Sequence, residues 1–362
     1  MITEHSATIG GELPKKDVNA KMEVFYNPVM VSNRNISIVL LNSILNKNLK
    51  MTLPLAGSGI RGLRFLKELK KGKIKQLDLN DHKDNFEDVF KKNMALSEIK
   101  PTKKVNIYQQ DASLFLLKQD GYDYIDLDPF GTPNPFIAAA VARISRGGII
   151  AVTATDTAAL TGTYPKVTKR KYWARNLRSY LMHEVGLRIL IRKIQLQGMQ
   201  FDKAFQPILA YHKDHYFRIY FRSEKGKEKC DEIIKHHKYL LFNENTGEYK
   251  ISEYNQEDNF IHLGPLWVGE LADRKLLQKM VRINPFSEEK KFLELLLEES
   301  SNNKVGFYDL HVVGKKNNIR PPRMEGLLKK LKGVHTHFSP TGIKTKESFQ
   351  KVLQVMKDEE RD

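Results

Sequence analysis

Short apolar segments alternate with amphipathic ones over the first part of the chain. The strand-like segments are residues 51–56, 74–79, 105–108 and 122–128. After the first of them, Leu63, Leu66 and Leu69 recur at the spacing of an amphipathic helix. Strands that alternate with helices are typical of an α/β fold with a doubly wound, Rossmann-like parallel sheet.

The pattern changes after Ala210, where aromatic-rich strands are followed by a charged stretch. We therefore predict two domains, residues 1–210 and residues 211–362. The second is a smaller α+β domain. The pattern of residues 305–346 indicates a helix, a turn, a helix begun by two prolines, and a hairpin, which predicts a winged-helix-like end.

Charge and cysteine content narrow the class of protein. Lys and Arg number 60 against 43 Asp and Glu, and the net charge of +17 favours a polyanionic partner. A single cysteine, Cys230, can form neither an intramolecular disulfide nor a Cys-rich zinc site, and it fits a reducing, cytoplasmic setting. Arg143, Arg146 and glycines interrupt the longest apolar stretch, so we expect no membrane span and no signal peptide.

The first two predicted strands end in residues suited to binding a nucleotide. Gly57, Gly59 and Gly62 form a GxGxxG motif between a strand and a helix, where the backbone can approach a ligand closely. Asp81 follows the second strand and suits a ribose hydroxyl, in NAD and in S-adenosylmethionine alike. Asp78 is less well placed, and Asp81 could instead cap the following helix.

Residues after the next two predicted strands distinguish S-adenosylmethionine from NAD as the cofactor. Asp111 is placed to bond an adenine amino group, with Ala112 offering a backbone N–H, although Asp111 could also be a helix cap. The fourth strand ends in DLDPFG, residues 126–131. This sequence resembles the Asp/Asn-Pro-Pro-aromatic motif of methyltransferases that modify exocyclic amines. An NAD-dependent oxidoreductase has no evident use for it.

The chemistry of an exocyclic amine explains this motif. Its nitrogen lone pair is delocalised into the ring, so the amine needs an acceptor for its proton, and Asp128 could serve. Pro129 fixes the backbone and leaves a carbonyl near the amine, while Phe130 offers a face for stacking worth ~1–3 kcal/mol per base. The alternative for Asp128 is a buried turn carboxylate. Asp126 points to the same face one pleat deeper, which indicates a structural role.

A basic segment follows this motif. Residues 161–196 include one acidic residue, Glu184, among many basic ones. The basic residues are Lys166, Lys169, Arg170, Lys171, Arg175, Arg178, Arg188, Arg192 and Lys193. The interleaved aromatic residues are Tyr164, Tyr172, Trp173 and Tyr180. This mixture predicts an RNA-binding patch, the alternative being a solvated helix face. His183 and Glu184 lack the spacing of a metal site, and we expect no metal.

Several ordered motifs together give the chain a resemblance to the archaeal tRNA (guanine-26-N2) dimethyltransferases. They are VFYNPVMVSNR, GSGIRGLRFL, NDHKDN, QQDAS, DLDPFGTPNPF, VTATDTAAL and SYLMHEVGLRILI. The resemblance covers residues 24–210 densely and the rest more loosely. It implies a cytoplasmic class I methyltransferase that uses S-adenosylmethionine and places two methyl groups, one after the other, on N2 of guanine 26 of tRNA.

The resemblance also implies roles for individual residues. Asp128 would be catalytic, and Phe25 and Phe130, beside Pro129, would form the guanine pocket. The residues that would contact S-adenosylmethionine are Arg34, Arg61, Asp81, Asp111 and Ala112. Two departures are Leu55-Ala56-Gly57, where the family often has Ser-Ala-Thr, and the missing cysteines of eukaryotic relatives, which argues against a metal.

Three classes of function remain: an RNA methyltransferase, an NAD-dependent oxidoreductase and a non-catalytic nucleic-acid-binding protein. A non-catalytic nucleic-acid-binding protein would leave the glycines and carboxylates at the strand ends unexplained. We therefore expect tRNA as the partner, with neither a membrane nor an obligate protein partner.

Overall fold

A computed structural model describes residues 1–12 and 26–361 of the chain. The strands and helices up to the end of the large sheet are β1 (Ile2–Glu4), β2 (Ala7–Ile9), α1 (Val31–Ser43), β3 (Leu49–Leu53), α2 (Ile60–Glu68), β4 (Ile74–Asp81), α3 (Phe86–Leu96), β5 (Val105–Gln109), α4 (Ala112–Lys118), β6 (Tyr122–Leu127), α5 (Asn134–Arg143), β7 (Ile144–Ala154), α6 (Thr157–Leu160), α7 (Pro165–Tyr172), α8 (Met182–Met199), β8 (Lys203–Lys213) and β9 (Tyr216–Lys225).

The remaining elements form smaller sheets and helices. They are α9 (Lys227–Ile234), β10 (His237–Phe242), β11 (Tyr249–Ser252), β12 (Ile261–Trp267), α10 (Arg274–Ile283), α11 (Lys290–Glu299), β13 (Tyr308–Asp309), α12 (Leu310–Lys316), α13 (Met324–Lys330), β14 (Val334–Thr336), β15 (Ser339–Lys344) and α14 (Phe349–Arg361). Strands β10–β12 form one antiparallel sheet, and β13–β15 form another.

The large sheet has the strand order β5-β4-β3-β6-β7-β9-β8. Strands β3 to β7 run parallel, and β9 lies antiparallel between β7 and β8. The predicted doubly wound α/β fold is thus confirmed, including all four strand-like segments. The order reverses between β3 and β6, so the crevice for a ligand opens at the carboxyl ends of these two strands.

Apolar side chains cover both faces of the sheet. One cluster packs α1, α2 and α3 against it through Leu40, Leu63 and Phe90, and the other packs α5 and α8 through Ile137 and Leu187. Helices thus cover both faces of the sheet, as is usual for parallel sheets.

The sheet extends beyond the predicted domain boundary. Tyr211 lies inside β8, and β9 continues the same sheet to Lys225. C-terminal residues such as Leu277, Phe307 and Val352 belong to the same two apolar clusters. No helix of the described chain is both long enough and apolar enough to cross a bilayer.

Candidate active site

The loop after β3 owes its shape to its glycines. Gly57 and Gly59 have φ angles of 59° and 78°, in the left-handed region that favours glycine. A Cβ on Gly59 would lie 2.2 Å from the ring of Phe90, and one on Gly62 would lie 2.4 Å from Leu79. The motif therefore brings the start of α2 close to the crevice, where its free N–H groups favour a negatively charged group.

Asp81 ends β4 and fastens this loop. One of its carboxylate oxygens accepts a 2.8 Å hydrogen bond from the Gly57 N–H, and the other accepts one from the Lys83 N–H. Helix α3 begins only at Phe86, so Asp81 is not its cap. Asp78 points into the interior instead and accepts a 2.7 Å hydrogen bond from the Tyr122 hydroxyl.

Asp111 lies at the end of β5 and caps α4. Its carboxylate accepts a 2.9 Å hydrogen bond from the Leu114 N–H, which is the alternative role considered from the sequence. Asp111 is exposed and Ala112 is buried. Neither is among the residues that line the cavities described next.

Two cavities meet at the carboxyl ends of β3 and β6. The first, of about 270 Å³, is lined by Tyr26, Asn27, Arg34, Leu53, Leu55, Ala56, Gly57, Ser58, Ile60, Arg61, Asp81, His82, Lys83, Asp126, Asp128, Pro129, Phe130 and Phe136. The second, of about 260 Å³, is lined by Asn27, Val29, Met30, Arg34, Asp128, Pro129, Phe130, Thr155, His215 and Tyr216. Their shared wall contains Asp128, Pro129 and Phe130, and Phe130 is 53% exposed.

Asp128 is held from one side by Arg61. A guanidinium nitrogen of Arg61 donates a 2.5 Å hydrogen bond to Oδ2 of Asp128. Arg61 also donates to the side chains of Asn33 and Ser37, each at 2.9 Å. Within the described chain, only Oδ2 of Asp128 has a hydrogen bond, so Oδ1 can accept one from a ligand.

Asp126 anchors this arrangement in the interior. Arg218 donates to both of its carboxylate oxygens, at 2.8 and 2.7 Å, and Tyr124 donates its hydroxyl proton at 2.6 Å. Burial by itself raises the pKa of Asp126, but the charges of Arg218 and Arg61 outweigh burial and lower that pKa. These contacts confirm the structural role predicted for Asp126.

Sequence reasoning missed Arg218. It lies on β9, far along the chain from Asp126, and is fully buried. The only signal was an arginine at alternate spacing within an aromatic strand, YFRIYF, where a buried face would otherwise be apolar.

Arg34 and Arg61, which the resemblance assigns to the cofactor, both line the first cavity. Arg34 also lines the second cavity and forms an ion pair with Glu4 at 2.5 Å. Phe25, predicted for the base pocket, lies outside the described residues. Its neighbour Tyr26 lines the first cavity.

The basic segment divides between surface and interior. Lys166, Lys169, Arg170, Arg175 and Arg178 are exposed, and Lys171 is half-buried, with its ammonium 3.5 Å from Asp156. The exposed aromatic residues are Tyr164 and Trp173.

Other members of the basic segment cannot reach RNA. Arg188 is buried against Glu184, and Lys193 lies beneath the Trp173 ring. Tyr172 is also buried and donates to Asp156, while Tyr180 donates to the Gly247 carbonyl. The prediction that these residues belong to an RNA-binding patch is therefore wrong, because their side chains turn toward the core.

The described residues contain no group of three or more His, Cys, Asp or Glu side chains that could hold a metal ion. His183 stacks on His212, and Glu184 pairs with Arg188.

Comparisons with known proteins agree on one family. The family described as N2,N2-dimethylguanosine tRNA methyltransferase matches residues 4–357. The tRNA (guanine(26)-N(2)/guanine(27)-N(2))-dimethyltransferase of Aquifex aeolicus is 38% identical over 96% of this chain and 93% of its own. The tRNA (guanine(26)-N(2))-dimethyltransferase of Pyrococcus furiosus is 35% identical over 95% of both chains. The structure of Trm1 from Pyrococcus horikoshii with S-adenosyl-L-methionine superposes with a TM-score of 0.86, at 34% identity and 98% coverage of both chains.

Proposed function

Since the chain belongs to the N2,N2-dimethylguanosine tRNA methyltransferase family, we propose that it transfers methyl groups from S-adenosylmethionine to N2 of guanine 26 of tRNA. The product is N2,N2-dimethylguanosine, formed through a monomethyl intermediate. One observation carries the proposal. Asp128, Pro129 and Phe130 form a wall common to two cavities, so a cofactor and a base can reach the same carboxylate from two sides.

The first cavity fits S-adenosylmethionine. The buried Asp81 carboxylate lies at the end of β4, where it can accept hydrogen bonds from ribose hydroxyls. Gly57 and Gly59 let the backbone approach the ligand, and Arg34 offers a guanidinium to the carboxylate of the amino-acid part. Asp111 and Ala112 lie where β5 gives way to α4, and they would contact the adenine. When bound, the cofactor supplies an electrophilic methyl group on its sulfonium sulfur.

The second cavity would hold the guanine after it leaves the tRNA stack. Phe130 supplies an exposed ring on which the base stacks, with Phe25 as a further wall, and the Pro129 carbonyl lies near the amine. Oδ1 of Asp128 accepts the N2–H hydrogen bond, while Arg61 keeps the carboxylate in place. S-adenosylmethionine would supply the methyl group and leave as the neutral thioether S-adenosylhomocysteine, and for each methyl that N2 gains, Asp128 would accept the proton that N2 gives up.

The tRNA would bind across exposed cations outside the cavities. Asn134, which follows the Asp128 motif, donates a 3.0 Å hydrogen bond to the Lys171 carbonyl, so α7 lies beside that motif. The basic patch on α7 and on the segment that follows it consists of Lys166, Lys169, Arg170, Lys171, Arg175 and Arg178. These residues can contact phosphates. We propose that the smaller C-terminal domain also binds tRNA, and that α12, α13, β14 and β15 form its winged-helix-like end.

Residues of this chain line both cavities, and we propose that the enzyme needs no obligate protein partner. We also propose that the enzyme works in the cytoplasm, which agrees with the unpaired, buried thiol of Cys230.

The experiment is to incubate the purified protein with unmodified tRNA and S-adenosylmethionine and to map methylated nucleosides by mass spectrometry. We expect N2-methylguanosine first and N2,N2-dimethylguanosine later, at position 26. A transcript with adenine at position 26 is the matched control. Position 27 must be resolved as well, since the Aquifex aeolicus relative is named for both guanines. Methylation confined to another base, or none at all, would contradict the proposal.

A further inference from the structure

The N-terminal hairpin β1–β2 places one buried carboxylate behind the first cavity. Glu4, at the end of β1, is 4% exposed. Its two oxygens accept hydrogen bonds from Nε and Nη2 of Arg34 at 2.7 and 2.5 Å, from Arg64 at 2.6 Å and from the Tyr26 hydroxyl at 2.9 Å. A short hairpin, otherwise remote from the catalytic motif, thus reaches three separate segments of the chain.

Two of these three partners line the first cavity. Arg34 lies on α1, Tyr26 precedes that helix, and both line the cavity. Arg64 is fully buried on α2, the helix that the glycine loop opens. Glu4 therefore fixes the segment before α1, the guanidinium of α1 and the body of α2 relative to one another.

The contacts leave one nitrogen of Arg34 for a ligand. Nε and Nη2 are taken by Glu4, and Nη2 also donates to the Asn27 carbonyl at 3.1 Å. For Nη1 the described part of the chain provides no hydrogen bond, although Arg34 lines both cavities. Since a guanidinium is a rigid planar fork, fixing two of its nitrogens also fixes the direction of the third.

The charges of Arg34 and Arg64 stabilise the ionised Glu4 carboxylate. Burial by itself raises the pKa of Glu4, but the hydrogen bonds and charges of Arg34 and Arg64 outweigh it and lower that pKa to about 2. The carboxylate therefore stays ionised at neutral pH, when both arginines need a counter-charge.

We infer that Glu4 is a positioning residue for cofactor binding: it orients Arg34 so that Nη1 meets the carboxylate of S-adenosylmethionine. This inference rests on the proposed function, which supplies the ligand. Glu4 touches neither substrate, and its effect passes through Arg34.

The test compares Glu4→Gln with Glu68→Gln. Glu68 also pairs with the buried Arg64, at 2.8 Å, but it does not contact Arg34, so it is a matched control for the removal of charge near α2. The dissociation constant for S-adenosylmethionine is measured by calorimetry, alongside thermal unfolding and steady-state methylation of tRNA. Removing a charged hydrogen-bond partner should weaken cofactor binding by about 10-fold or more in Glu4→Gln. Glu68→Gln should stay near the wild-type affinity.

Kinetic constants separate positioning from a general decrease in stability. In Glu4→Gln the KM for S-adenosylmethionine should rise, while kcat at saturating cofactor changes little. Equal cofactor affinity in the two variants would overturn the inference, as would a decrease in kcat alone. If Glu4→Gln does not fold, Glu4→Asp keeps the charge but is too short to hold both nitrogens of Arg34. It should then bind the cofactor several-fold more weakly, and wild-type affinity in Glu4→Asp would also overturn the inference.

Two further measurements separate this inference from the proposed function. Wild-type protein that fails to methylate guanine in tRNA contradicts the proposed function. Wild-type protein that methylates it, together with an Arg34→Ala variant that binds S-adenosylmethionine weakly and a Glu4→Gln variant that binds it normally, contradicts only the role of Glu4.

Discussion

Two buried networks of charged side chains hold different parts of this molecule, and they are built from different residue types. The site network joins Asp126, Arg218, Arg61 and Asp128 and ends at the wall between the two cavities. The C-terminal network joins α8 to the elements between α11 and β15, and it reaches His212 on β8 through the backbone N–H of that residue. Its side chains are Glu184, Arg188, Lys344, Glu299 and His337.

The C-terminal network is built around two linked carboxylates. Glu184 pairs with Arg188 at 2.9 Å and with Lys344 at 3.2 Å, and Lys344 continues to Glu299 at 3.0 Å. Glu299 in turn pairs with a ring nitrogen of His337 at 2.5 Å. Beyond it, the backbone N–H of His212 donates to the other ring nitrogen of His337.

The difference lies in how each network responds to protons. The site network uses only arginines as cations, and their charge is fixed at any physiological pH. In the C-terminal network, burial and the neighbouring histidines His183, His337 and His215 lower the pKa of His212 to about 3. The site network therefore keeps the Asp128 carboxylate, the proposed proton acceptor, in constant geometry, while the C-terminal network contacts the sheet at His212, a group that acid can charge.

The largest expected effect comes from breaking the site network at its buried end. Arg218→Met leaves Asp126 fully buried with the Tyr124 hydroxyl at 2.6 Å and with Arg61, at 3.5 Å, as its nearest remaining cation, so the free energy of unfolding should fall by about 3–5 kcal/mol. Denaturant titration measures this free energy of unfolding. Arg222→Met is on the same strand, and among the described residues Arg222 donates its side-chain hydrogen bond to the Gly147 carbonyl; this variant should cost less than about 1 kcal/mol. Equal decreases in the two variants would show that Asp126 does not depend on Arg218.

The exposed end of the same network should affect rate instead of stability. Asp128→Ala should lower kcat by ~100-fold or more, the range for a positioned proton acceptor, while both substrates still bind. Asp128→Asn keeps an oxygen that can accept the N2–H bond and should retain more activity than Asp128→Ala. Single-turnover methylation measures both variants. Turnover near that of the wild type in Asp128→Ala would rule out the proposed role.

Acid should distinguish the two networks. The pKa of His212 is about 3 in the fold against 6.5 for an ordinary histidine, so the unfolded chain binds the proton more readily. This contribution to stability is present above pH 6.5 and is lost as the pH falls toward 3, by about 1.4 kcal/mol per pH unit. Unfolding followed from pH 7 to pH 4 should show a shallower pH dependence for His212→Gln than for the wild type. Parallel curves would exclude His212 as the source.

The basic residues of α7, of which Lys169 and Arg170 are exposed and Lys171 is half-buried, should have the smallest effect on stability. Replacing Lys169, Arg170 and Lys171 together by Ala should leave the unfolding midpoint nearly unchanged. The slope of log tRNA affinity against log salt should become shallower by ~0.7–0.9 for each phosphate that the variant no longer binds. Lys235→Ala, an exposed lysine beyond α9, is the control. An unaltered slope in the triple variant would assign α7 to a solvated face.

Sequence patterns predicted the part of the site that follows strand ends. Asp81 and Asp128 could be identified because a parallel sheet brings the carboxyl ends of its strands to one edge, whatever else the chain does. Asp111 showed the limit of that reasoning, since the same position also suits a helix cap, and here it caps α4. Local pattern alone does not choose between these two uses.

Contacts between distant segments could not be predicted. Arg218 meets Asp126 only after β9 has paired with β7. Glu4 meets its partners only after the hairpin β1–β2 has packed against α2 and α3. No local sequence pattern indicates either pairing. The domain boundary predicted near Tyr211 was also inferred from local pattern alone, and it falls inside β8. An aromatic antiparallel pair, β8 and β9, resembles the start of a new domain until its pairing with β7 is known.

The wall shared by the two cavities bears on how a dimethylated product can arise. Two methyl groups require two molecules of cofactor, so the spent one must be replaced before the second transfer. The two cavities share Asn27, Arg34, Asp128, Pro129 and Phe130, and their other lining residues differ. With the proposed occupants, the guanine could therefore stay in the second cavity while the cofactor in the first is exchanged. That arrangement favours processive modification, in which the tRNA is released after two transfers instead of between them.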